Sequence, residues 1–195
     1  MNRLTNYLGL PVLALLLGTA LAADPAPVAA ERYTQAPAGS SLVFTFTQLG
    51  AAGSGQFGKF STEFTYDDQN PAAGSLDVKI DITSLDTQDA ERDDALKSAD
   101  LFDTKSHPGA TYVAKSLARN STGGLEAVGK LTLRGVSRDL RLPLTLKPSA
   151  NGLELSGQAT IKRLDFGVGK GEWQSTESVA DEVKVQYKVM LVRAK

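Results

Sequence analysis

The chain has 195 residues, with 21 basic and 22 acidic side chains, a net charge of −1, no cysteine and one histidine. Such a balance offers no footprint for nucleic acid or for an anionic membrane surface. Without thiols and with one imidazole, disulfide stapling, cysteine nucleophiles and a nitrogen- or sulfur-ligated zinc site all fall away.

Residues 1–22 read as a cleavable export signal. Arg3 provides the positive start, Leu8 to Leu17 is apolar apart from Gly9 and Pro11, and Ala20-Leu21-Ala22 supplies the small-x-small cleavage site. That apolar run is shorter than the ~20 residues a spanning helix needs. Removing 22 of the 195 residues leaves 173, the size of one domain, with 20 basic against 22 acidic groups. Residues 23–39, rich in Ala and Pro, read as a flexible lead-in to a domain over 40–193.

From Ser40 onward the chain alternates with period two. Leu42, Phe44 and Phe46 share one face of a first strand, and Phe60, Phe64 and Tyr66 share one face of a second. The Gly-rich LGAAGSGQFG between them reads as their connection. A third strand carries Leu76, Val78, Ile80 and Ile82. Alternation then breaks over residues 84–108. Here Asp86 or Thr87 can cap a short helix whose first turns are acidic and whose end carries Lys97. Arg92, Leu96 and Ala99 fall on one side of it, Leu101 and Phe102 follow as apolar plugs, and His107-Pro108 turns into the next strand.

Five further strands complete the set: Tyr112 to Leu117, Leu125 to Leu133, Leu140 to Leu146, Leu153 to Ile161 and Val179 to Val192. NSTGG and Arg134-Gly135 read as turns between them. Pro143 removes a ladder donor, so its strand should have an edge or a bulge there. About eight strands joined by short turns suit an antiparallel barrel or sandwich, and a barrel of that size either fills with side chains or holds one small ligand.

Several motif matches read as ordinary turns. Gly53 to Gly58 fits GxGxxG, yet a strand pattern rather than a helix follows it. Gly167 to Gly171 lacks the spacing and hydroxyl of a P-loop, and Asn120-Ser121-Thr122 lies in a Gly-rich turn. The aspartate groups lack calcium-loop spacing and no G-x-S-x-G elbow occurs. Arg92 with Asp93 admits two readings, a proton-transfer pair, or an ion pair or cap that fixes the helix; the second is favoured.

The run SLDTQDAERDDALKSADLFDTKSHPGATY resembles the signature of the YceI-like family of periplasmic lipid- or polyisoprenoid-binding proteins. Ser84, Thr87, Arg92-Asp93, Leu96, Ser98, Asp100, Phe102, Asp103, Pro108 and Tyr112 meet it. The Gly55, Phe57, Phe60 spacing, the run from Gly129 to Val136, and RLDFGVGKGEW with Val179, Asp181 and Val183 are also similar to the family. One departure is Gln48, where many members have histidine.

The resemblance implies an all-β, antiparallel eight-stranded lipocalin-like barrel with one short helix between strands at its mouth. It implies an apolar interior that takes an isoprenoid or fatty chain, without cofactor, metal or catalysis, and it leaves room for transient membrane contact during transfer. Lining residues are then expected among Leu42, Phe44, Phe46, Phe60, Phe64, Ile80, Tyr112, Leu131, Leu133, Phe166 and Trp173. Mouth or lid residues are expected among Gln48, Arg92, Asp93, Leu96 and Phe102. The protein would be a carrier, storage or stress protein. Two alternatives stay open: an enzyme on an isoprenoid quinone-like substrate, and a filled barrel without ligand.

Overall fold

The computed structural model describes residues 30–194; the expected export signal lies outside the described residues. Eleven strands form one antiparallel sheet. They are β1 (Glu31–Gln35), β2 (Ser41–Gln48), β3 (Ala51–Phe57), β4 (Phe60–Tyr66), β5 (Ser75–Asp81), β6 (Leu85–Asp86), β7 (Gly109–Arg119), β8 (Leu125–Leu133), β9 (Val136–Ser149), β10 (Gly152–Lys162) and β11 (Glu182–Arg193). Among the described residues there is one α-helix, α1 (Ala90–Lys97), which stands between β6 and β7.

The sheet closes because β1 pairs with β11 as well as with β4. The first half of β11 pairs with β2 and its last residues with β1, so β1 and β2 are one long stave bent between Gln35 and Ser41. Likewise β3 pairs with β2, and β4 pairs with β1. β5 pairs with β4 and β6 with β3 in the same manner. Joined this way, the eleven strands make the eight staves of a closed antiparallel barrel, as expected.

Three local expectations are corrected. Residues 31–35, placed in the flexible lead-in, form β1, because Tyr33 is buried on Phe64 and the strand fills the gap between β4 and β11. The Gly-rich stretch after Gln48 is not one long connection, nor is its GxGxxG match a turn. Only Leu49-Gly50 turns, both at positive φ, and residues 51–57 are strand. Gly53 and Gly55 are needed because a Cβ at either would overlap the ring of Phe46 or Phe44 on the neighbouring stave. Third, the helix is capped by Asp89, whose carboxylate accepts the Arg92 N–H at 3.1 Å. Thr87 cannot cap, since it is buried and its hydroxyl and N–H are both held by Asp93, at 2.7 and 2.9 Å.

Other turns form where the sequence places them. Asn120 Oδ1 accepts N–H groups of Thr122 and Gly124 in the β7–β8 turn, and Arg134-Gly135 makes the tight β8–β9 turn with both residues at positive φ. One end of the barrel is packed solid by Tyr33, Phe64, Leu117, Leu125, Leu144 and Leu191, all buried. The other end carries α1, the β2–β3 turn and the long segment between β10 and β11.

Candidate functional site

Above the packed end the barrel is hollow. A cavity of about 500 Å³ is enclosed by aliphatic and aromatic side chains from β2, β4, β5, β7, β8, β9, β10 and β11. Its size lies within the range of small-molecule sites, ~300–1,000 Å³. The period-two pattern explains its chemistry. Nearly all inward-facing positions are apolar, so the staves send hydrocarbon inward and their charges outward.

Of the lining residues expected from sequence, Leu42, Phe44, Phe46, Phe60, Ile80, Tyr112, Leu131, Leu133 and Trp173 border the cavity. Two do not. Phe64 belongs to the packed end, against Tyr33 and Tyr66. Phe166 is buried in a short turn, Arg163–Phe166, whose packing is with the core rather than the cavity. Of the mouth residues, Gln48, Arg92, Leu96 and Phe102 border the cavity. Asp93 does not, because it is turned back onto Thr87.

Sequence reasoning missed Phe57, Tyr187 and Thr62, which also border the cavity. Phe57 lies in the Gly-rich stretch after Gln48, whose glycines carry no strand period. It faces Phe44 at 5.1 Å between ring centroids and Phe102 edge-on at 6.3 Å, and so joins the helix segment to the barrel. Phe44 and Phe46 stack at 6.2 Å, and the Arg92 guanidinium lies 5.9 Å from the Phe46 ring centre. Arg92 is also paired with Asp89 at 3.1 Å. The Arg92–Asp93 pair weighed from sequence is therefore not formed: each residue serves to fix the helix, one through Asp89 and the other through Thr87.

Polar groups inside are few. Tyr112 donates its phenol proton to the carbonyl oxygens of Ala127 and Leu140, at 2.9 and 3.1 Å. Tyr187 donates to that of Pro143 at 2.5 Å. Burial pushes both phenols well above the usual tyrosine range, with Tyr112 adding to the effect on Tyr187. Thr62 is buried, and its Oγ1 has no hydrogen-bond partner among the described residues.

The segment between β10 and β11 covers the mouth beside α1 and is held by one buried side chain. Arg163 is 4 % exposed and donates to five main-chain carbonyls, those of Val168, Trp173, Ser175, Val179 and Ala180, between 2.7 and 3.4 Å. Burial lowers its pKa, and the charge of Asp181 opposes that shift. The carbonyl of Asp100 accepts N–H groups of Gly169 and Lys170, at 3.0 and 2.8 Å, so this segment and the helix segment form one cover. No group of three or more metal-ligating side chains occurs among the described residues, and no helix there is long and apolar enough to cross a membrane.

The sequence profile of the YceI-like domain matches residues 33–191. A UPF0312 protein of Shewanella sp. strain ANA-3 is 31% identical over 169 residues, covering 80% of this chain and 86% of that protein. Protein YceI of Escherichia coli is 36% identical over 122 residues, covering 58% of this chain and 62% of that protein. Among solved structures, Burkholderia cenocepacia BcnA is similar with a TM-score of 0.73 and 33% identity, over 77% of this chain and 94% of that one. A polyisoprenoid binding domain from Saccharophagus degradans shares the fold, with a TM-score of 0.66 and 19% identity over 83% of this chain and 98% of that one. The inward hydrocarbon, the single helix at the mouth and the matched profile agree: the chain belongs to the YceI-like domain family.

Proposed function

We propose that the protein is an exported carrier or store for a lipid with a long apolar chain, of the isoprenoid or fatty type, and that it performs no chemistry on it. The observation that carries this reading is the cavity itself: about 500 Å³ of space lined by hydrocarbon, in a barrel whose other end is packed solid. A void of that size would cost several kcal/mol if it stayed empty, since lining atoms lose contacts on one side. That a polyisoprenoid binding domain shares the fold supports placing an isoprenoid among the candidate ligands.

The volume sets a length. At about 30 Å³ for each water-sized group, the cavity takes about 16 non-hydrogen atoms, or about three isoprene units. Each unit removed from water contributes roughly 3–4 kcal/mol before ordering costs, against about 1 kcal/mol for one neutral hydrogen bond to a headgroup. Affinity should therefore climb with chain length up to about 15 carbons and then level off. Titration of prenyl alcohols of 5 to 30 carbons, followed by the emission of Trp173, tests this; it is the chain's only tryptophan and borders the cavity. Absence of saturable binding at every length would sink the proposal.

A further inference from the structure

The barrel wall is not paired all the way round. β9 and β10 form a ladder only from Ser149–Thr145 against Gly152–Ser156. Beyond it β9 stays paired to β8 as far as Val136, and β10 stays paired to β11 as far as Lys162. Each strand is therefore anchored on its far side while the seam between them is unzipped. At ~3.3 Å per residue, the seam from Gly157 to Lys162 runs about 20 Å along the strand.

Both ends of this window are built. At its lower end Pro143 brings no N–H to a ladder, and its carbonyl accepts the Tyr187 phenol instead. The ring of Tyr187 crosses Gly157, where any Cβ would overlap the phenol oxygen and the Pro143 carbonyl. At its upper end Arg134, buried in the β8–β9 turn, donates to the carbonyl of Gly167 beyond β10 and to that of Ala99 at 2.5 Å. Between these two fastenings, Leu140 and Leu142 on one side and Ala159 and Ile161 on the other border the cavity. The window thus has apolar jambs and opens on the ligand space.

We infer that this window is a lateral portal, through which the far end of a chain too long for the cavity leaves the barrel while its polar head stays at the mouth beside Gln48 and Arg92. The inference rests on the lipid-binding reading proposed above. It gives a cavity sized for about 16 non-hydrogen atoms a way to take longer chains without unfolding the packed end. A packed core does not yield to make such room, whereas an unpaired seam breaks no ladder bond when it admits a methylene chain.

The absence of cysteine allows single labels to be placed at will. Thr160→Cys puts a bimane on the exposed outer face of the window's β10 side, and Glu91→Cys puts one at the exposed mouth. Alkyl chains of 12 and 30 carbons, each with a nitroxide at its far terminus, are then titrated into both labelled proteins, with Trp173 emission read in parallel. The expected result is a Trp173 response to both chains and at least a two-fold quench of the Thr160 label by the 30-carbon chain alone. The portal is overturned if Trp173 responds but the 30-carbon terminus quenches the Glu91 label, or neither label. If Trp173 responds to neither chain, the lipid-binding reading fails and takes the portal with it.

Discussion

Arg163→Lys is the sharpest perturbation of the cover over the cavity mouth. The guanidinium carries five N–H donors in a fixed fork and here serves five main-chain carbonyls. An ammonium has three donors, so the same charge in the same place leaves two carbonyls unserved. Hydrogen bonds to a charged group contribute about 1.5–3 kcal/mol each, which gives a loss of about 3–6 kcal/mol. The 3.4 Å bond to Ser175 is the weakest, which favours the lower end. For a domain of this size each kcal/mol moves the melting temperature by about 2–4 °C, so a fall of about 6–12 °C is expected. Thermal melts give the magnitude. Trp173 emission gives the place, because the Trp173 carbonyl is one of the five partners and its ring borders the cavity. A variant that melts within about 2 °C of the parent with unchanged emission would refute the view that this one side chain fastens the cover.

Thr62→Val removes an unpartnered buried hydroxyl at almost constant volume, so it should raise stability by about 1 kcal/mol, read from the urea midpoint at unchanged slope. Burial raises the phenol pKa of Tyr112, Tyr187, Tyr33 and Tyr66 in the folded state above the ordinary value near 10. Their contribution is therefore fully present below pH ~10 and is lost as pH rises through the folded-state values, because the unfolded chain sheds these protons first. Stability should be flat on the approach to pH ~10 and fall above it. Tyr187→Phe should make that fall shallower and cost about 1 kcal/mol at neutral pH for the bond to Pro143; a slope unchanged in this variant would contradict the assignment.

Much of the barrel is legible in the sequence because alternation is a direct imprint of a two-faced wall. Leu125 to Leu133 and Val183 to Leu191 can be assigned to strands, and to a face, without coordinates. Pro143 lies just past the point where pairing with β10 stops, at Thr145 opposite Ser156, while it keeps its place opposite Glu126 in the ladder with β8. What stayed hidden has physical causes. β1 has only one buried residue, Tyr33, so it shows no period; its partners on β4 and β11 determine it. β3 is written in glycine because its neighbours Phe44 and Phe46 lean over it, and the side chains that would reveal a strand are absent for that reason. Asp89 rather than Asp86 or Thr87 caps the helix because Thr87 is drawn into the core, which no local rule foresees. Phe60 and Phe64 lie on the same face of one strand, yet one borders the cavity and the other plugs the barrel. Depth along a barrel axis has no periodic signature, so the packed and hollow ends could not be told apart.

The most direct test of the account is native mass spectrometry on the protein purified without detergent from the cells that make it, followed by solvent extraction. The account predicts a bound species of defined mass that extracts as a prenyl or acyl lipid and whose removal opens the cavity to titration. Protein at its bare mass, with Trp173 emission that no prenyl or acyl chain then changes, would contradict it.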